Sequence, residues 1–224
     1  MEPSAVLSAW AAGLAAGSAL VTRWAVVGPG FTWLTLGVTI VLAVPAALAG
    51  GGFAAWLGCG LAVVAIIAAR SRSASPMLAA ASAAALVVAG AGEGRPVLVV
   101  TGALFLGGVT CEMLLGHWYL VDPRLPRSAL RSLCVVGLGG ALVDPVAAVL
   151  HGAVPWEAGD MVVGLGWIAL AATSIALMTA VWFSLGERGY PAVMAATGLS
   201  YLAVLTTIGA VVLGRVLVTG AVLG

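Results

Sequence analysis

Apolar runs, each closed by a short stretch rich in arginine, glycine and proline, follow one another along the whole chain. The runs hold roughly 17 to 25 residues, the length a helix needs to cross a hydrocarbon core. Eight are delimited, over residues 5–22, 31–48, 53–69, 77–92, 97–121, 132–150, 161–185 and 192–214. Turn-forming residues punctuate them at Gly28-Pro29-Gly30, at Gly50-Gly51-Gly52, and within 73–76, 92–96, 122–126, 152–159 and 186–191. The pattern predicts an all-α, polytopic integral membrane helix bundle of about eight transmembrane helices, one domain over residues 1–224. The third and fourth runs stand at the lower length limit, so a merged or half-inserted pair is the alternative count.

Charge orients the bundle. With the N-terminus outside, Arg23, Arg70, Arg72, Arg124, Arg127, Arg131 and Arg188 fall on the inner side, and only Arg95 and Arg215 on the outer. That bias satisfies the positive-inside rule and puts both termini outside. Of the loop acids, Glu2, Glu93, Glu157 and Asp160 fall outside and Asp122 and Glu187 inside. Several tryptophans, Trp10, Trp24, Trp33, Trp118, Trp156 and Trp182 among them, lie near predicted span ends, as interfacial anchors do. The opening Met1-Glu2-Pro3-Ser4 is acidic where a signal peptide is basic, so the first run is expected to be a retained helix. Gly13 with Gly17, and Gly137 with Gly140 and Ala141, mark faces for close helix approach.

Composition removes whole classes of function. The chain is 62% hydrophobic and 8% charged with a net charge of +1, so it has no basic surface for nucleic acid. It contains no lysine, which excludes a Schiff base or a Walker phosphate loop. H-E-x-x-H and G-x-S-x-G are absent, and Cys59, Cys111 and Cys134 lack metal or redox spacing. The reading leans away from an enzyme, with no catalytic residues and no metal ligands assigned.

The candidate chemistry is the intramembrane charge. Glu112 stands ~15 Å and Asp144 ~20 Å from the inner face when counted at 1.5 Å per residue from the nearest loops. Both are expected to face the bundle interior, since a charge facing lipid at mid-membrane costs at least ~3 kcal/mol. Their spans are antiparallel neighbours, which predicts a Glu112–Asp144 pair sharing a proton. Pro145 frees the Ala141 carbonyl as a further acceptor. His117 and Tyr119 stand toward the inner end and His151 at the outer end, as possible relays. Arg124, Arg127 and Arg131 form an inner basic loop, expected to set topology and face lipid. Arg215 is expected to snorkel to the outer interface, and the hydroxyls of the last span, on Thr197, Ser200 and Thr207 with Tyr201, to bond within the bundle.

Three functional expectations follow. The first is a proton-linked small transporter or proton-conducting component using the acid pair. The second is a non-catalytic membrane subunit that anchors or stabilises a larger complex, respiratory complexes included. The third is a haem- or quinone-handling protein built on His117, although no cofactor is required by the sequence and the two histidines are expected at opposite surfaces. The expected partners are the lipid bilayer and other membrane subunits or further copies of the chain. The expected location is a bacterial plasma (inner) membrane, multi-pass.

Overall fold

The computed structural model describes residues 3–122, 124–154, 156 and 161–220, with the side chain of Glu93 left aside. Glu2, Glu157 and Asp160, counted above among the outer acids, lie outside the described residues. The fold is all-helical, with no strand among the described residues. The helices are α1 (Pro3–Trp24), α2 (Pro29–Ala46), α3 (Gly52–Ile67), α4 (Ala74–Gly90), α5 (Pro96–Val121), α6 (Ser128–Leu150), α7 (Met161–Ser184) and α8 (Tyr190–Thr219). Six helical stretches are long and apolar enough to cross a membrane, with Pro29–Ile67 taken as one stretch of 39 residues. This fits a helical membrane bundle. α4, at 17 residues, is the short apolar helix beside them.

Local sequence sets the boundaries. Pro29 and Pro96 open α2 and α5, where the missing N–H costs nothing. α2 and α3 are separated at Gly50 and Gly52, whose φ of 108° and 61° a residue with a side chain adopts only with strain. α3 therefore turns back and packs along α2. Buried hydroxyls are absorbed by the helices themselves: Thr35, Thr39, Thr110, Ser174 and Ser200 each donate to the carbonyl four residues earlier. α6 begins four residues before the expected start, and α8 runs five residues past the expected end at Gly214. The second difference changes the candidate site.

The helices fall into two four-helix halves, α1–α4 and α5–α8, each closed by its last helix packing on its first. The halves meet mainly where α1 lies along α5. A Cβ on Gly13 would lie 2.7 Å from Gly107 Cα, and one on Gly17 would lie 2.5 Å from Cys111 Sγ. Both contacts join residues 94 apart, so the two helices run parallel and in register. The same offset relates Arg23-Trp24 to His117-Trp118 at their ends. Pro3 and Pro96, at their starts, are one residue closer in offset, and the single π turn at Ala103–Gly107 accommodates that extra residue. Further along, Pro45 and Pro145 are the internal prolines of α2 and α6. Pro76-x-x-x-Ala-Ala-Ser82 in α4 matches Pro191-x-x-x-Ala-Ala-Thr197 in α8. The two halves thus repeat one plan about an axis parallel to the helices.

Candidate functional site

Close glycine contacts fix the register of the second half. Gly140 abuts the Phe105 backbone, and a Cβ on Gly108 would lie 2.8 Å from Gly137 N, so α5 and α6 are antiparallel with paired residue numbers summing to 245. Against α8, Gly116 meets Thr197 and Leu98 meets Arg215, again antiparallel. Asp144 is therefore level with Thr101, eleven residues from Glu112, or ~16 Å along the helix. The acid pair expected from the sequence is not formed. Counting depth from loop ends failed because α6 starts earlier than expected and because glycine contacts, not loop lengths, set the offset of neighbouring helices.

Each acid has its own partners. Asp144, 2% exposed, receives Thr101 Oγ1 at 2.7 Å and Arg215 through Nη2 at 2.5 Å and Nη1 at 3.3 Å. Arg215 Nη2 also donates to the Leu98 carbonyl at 2.7 Å. Gly102 leaves room for the guanidinium, since a Cβ there would lie 2.9 Å from Arg215 Nη2. Arg215 is 8% exposed, so it does not snorkel: the continuation of α8 to Thr219 places it one turn inside the helix. The sequence held only a partial signal for this, an arginine directly following the last apolar run and an acid within the sixth.

Glu112 is 1% exposed and belongs to the seam between α5 and α8. Ser200 donates to its Oε2. Its Oε1 has no hydrogen-bond partner among the described residues, nor have the buried hydroxyls of Thr197 and Thr207. Thr197, Ser200 and Thr207 recur at helical spacing on the buried face of α8, which leads toward Arg215. Tyr201 is not part of that face and is exposed.

The other candidates stand apart. His117 is exposed, and His151 caps α6 with Nδ1 2.8 Å from the Ala147 carbonyl. By the α5–α6 register they lie at opposite ends of the bundle. Tyr119 is fully buried and donates to the Pro126 carbonyl at 2.6 Å, closing the α5–α6 turn. In the basic loop only Arg124 is a freely exposed surface group: its backbone N–H and guanidinium bond Asp122 and hold that carboxyl below the usual carboxylate range. Arg127 donates to the carbonyls of Glu187 and Gly189, and Arg131 to that of Leu185 while lying over the Trp182 ring. These two arginines face the loop that joins α7 to α8 and not lipid, because the carbonyls of that loop have no helical partner and need donors. No cluster of three His, Cys, Asp or Glu that could hold a metal occurs among the described residues. No family model, curated protein or solved structure matches the chain.

Proposed function

We propose that this chain is an eight-span protein of a bacterial plasma membrane, both termini outside, that acts as a proton-linked transport component with Glu112 as its proton carrier. The observation that carries the reading is the condition of that carboxyl. It is buried, it has a hydroxyl on one oxygen and nothing on the other, and no cation neutralises it among the described residues. An intramembrane acid of this kind is expensive to keep and marks ion or proton pathways. The α8 hydroxyls on either side of Ser200 extend the polar face, and the doubled four-helix plan with parallel halves is an arrangement found among transporters. Asp144 leaves the carrier role, since its charge is matched by Arg215.

The test is potential-driven proton uptake into vesicles holding the purified protein and an internal pH dye. Wild-type protein passes protons, Glu112→Gln does not, and Ser200→Ala retains partial flux. Absent flux in the wild type, or equal flux in Glu112→Gln, overturns the reading. A second reading, a non-catalytic subunit of a larger membrane complex, draws on α8: its 30 residues extend ~45 Å against a core of ~30 Å. It requires stoichiometric co-purifying chains in mild detergent.

A further inference from the structure

The contact between the two halves is closed on one side and open on the other. On the closed side Phe31 packs edge-on against Trp118 with ring centroids 5.7 Å apart, and Trp10 Nε1 bonds Thr110 Oγ1 at 2.9 Å. On the open side, α4 and α6 do not close over the α1–α5 seam and leave two apolar cavities of about 470 and about 290 Å³. They share Ala16, Leu20 and Ala83, so they form one groove. Its mouth is lined by Arg23, Pro76 and Met77, and its floor continues past Gly13 to Val100 and Leu104. From Arg23 to Ala12 along α1 the groove is ~16 Å long, about half of a ~30 Å hydrocarbon core, which is the depth of one leaflet.

Charge at the mouth identifies the occupant. Arg23 is exposed there, and the Arg70-Ser71-Arg72 turn lines a polar pocket beside Thr22 at the same end of the half. Between Glu2 and Glu93 the sequence contains no acid at all, so these three arginines have no acidic partner within their own half. A groove one leaflet deep, apolar along its length and cationic at its mouth, is complementary to a single amphiphile with an anionic head and a long alkyl tail.

We infer that this groove is a binding site for one anionic phospholipid, its headgroup at Arg23 and one acyl chain wedged between the two halves. Basic pockets between membrane helices recognise such headgroups, and small groove residues such as Ala16, Ala83 and Ala84 let an acyl chain approach the helix backbones. The inference needs the bundle to lie in a bilayer but not the proton chemistry of Glu112.

The test is native mass spectrometry of delipidated protein given equimolar palmitoyl-oleoyl phosphatidylglycerol and phosphatidylcholine. The wild type retains one lipid and prefers the anionic one by about fivefold, the scale of one arginine near a headgroup. Arg23→Gln keeps the adduct and brings the two lipids to parity. Ala16→Phe with Ala84→Phe fills the groove from two exposed positions and removes the adduct of both lipids; Ala80→Phe near the mouth replaces this pair if the double variant does not fold. Wild-type retention without preference, adducts indifferent to the filled groove, or a second copy of the chain seated there would each overturn the inference. Proton flux is read separately, so loss of the lipid site and loss of the carrier are distinguishable.

Discussion

Substituting Arg215→Met removes the only cation bonded to Asp144 among the described residues. The arginine makes two bonds to the carboxylate and one to the Leu98 carbonyl. Its loss leaves a 2%-exposed carboxylate with the Thr101 hydroxyl alone. Deleting one member of a buried pair costs ~3–5 kcal/mol, because the other charge stays desolvated and unmatched. Asp144→Asn should cost a similar ~3–5 kcal/mol from the opposite side, stranding a guanidinium on one carbonyl. The double variant removes both charges, while the amide introduced at position 144 can still meet Thr101, so it should lose less than either single variant. The coupling is then at least ~3 kcal/mol, at the upper end of the range for residues in direct contact.

Reversible unfolding in mixed detergent and dodecyl sulfate, followed by tryptophan fluorescence, measures all three variants against the wild type. Additive losses would refute the pairing. So would a cost for Arg215→Met below ~1 kcal/mol, since an arginine reaching the headgroups loses little when its charge is removed.

Two further predictions test the framework around the site. Gly13→Val or Gly107→Val should abolish recovery of monodisperse protein on size exclusion, because the backbones of α1 and α5 touch there; Gly37→Ala and Gly139→Ala, whose added methyls meet nothing within 4 Å, should be recovered normally. Arg127→Ala with Arg131→Ala should lower stability in the same unfolding assay by about 1–2 kcal/mol in total through lost bonds to the carbonyls of the α7–α8 loop, whereas Arg124→Ala should leave it unchanged because its pair with Asp122 lies at the surface.

The helical runs were legible in the sequence because hydrophobic length is a strong signal and each break carries proline or glycine. The burial of Glu112 and Asp144 was legible for the same reason, since a carboxyl in a long apolar run must face inward. Their separation was not. It depends on how far α6 is shifted along α5, and that shift is set by Gly108 against Gly137 and Gly140 against Phe105, contacts invisible to periodicity. The role of Arg215 was hidden by one boundary. Ending the last run at Gly214 put the arginine at the interface, while α8 continues through Thr219 and turns it inward.

The doubled plan gives a reason to treat the two acids differently. In the first half the buried polar groups among the described residues are all hydroxyls, Ser18, Thr32, Thr35 and Ser82 included, and Thr35 donates to Ser18 at 2.9 Å. The 94-residue offset places Ser18 at the position of Glu112. One copy of this four-helix unit is thus built with neutral hydroxyls as its buried polar groups, of which Ser8 alone lacks a partner among the described residues. The second half holds the three buried charges of the described residues, Glu112, Asp144 and Arg215. Two of them cancel in an ion pair, which fastens three helices at one end. Glu112 cancels nothing and leaves one oxygen unbonded where a serine serves in the companion half. A stable four-helix unit does not require an acid at that position; under the proposed function, the cost of keeping one there is offset by the proton it carries.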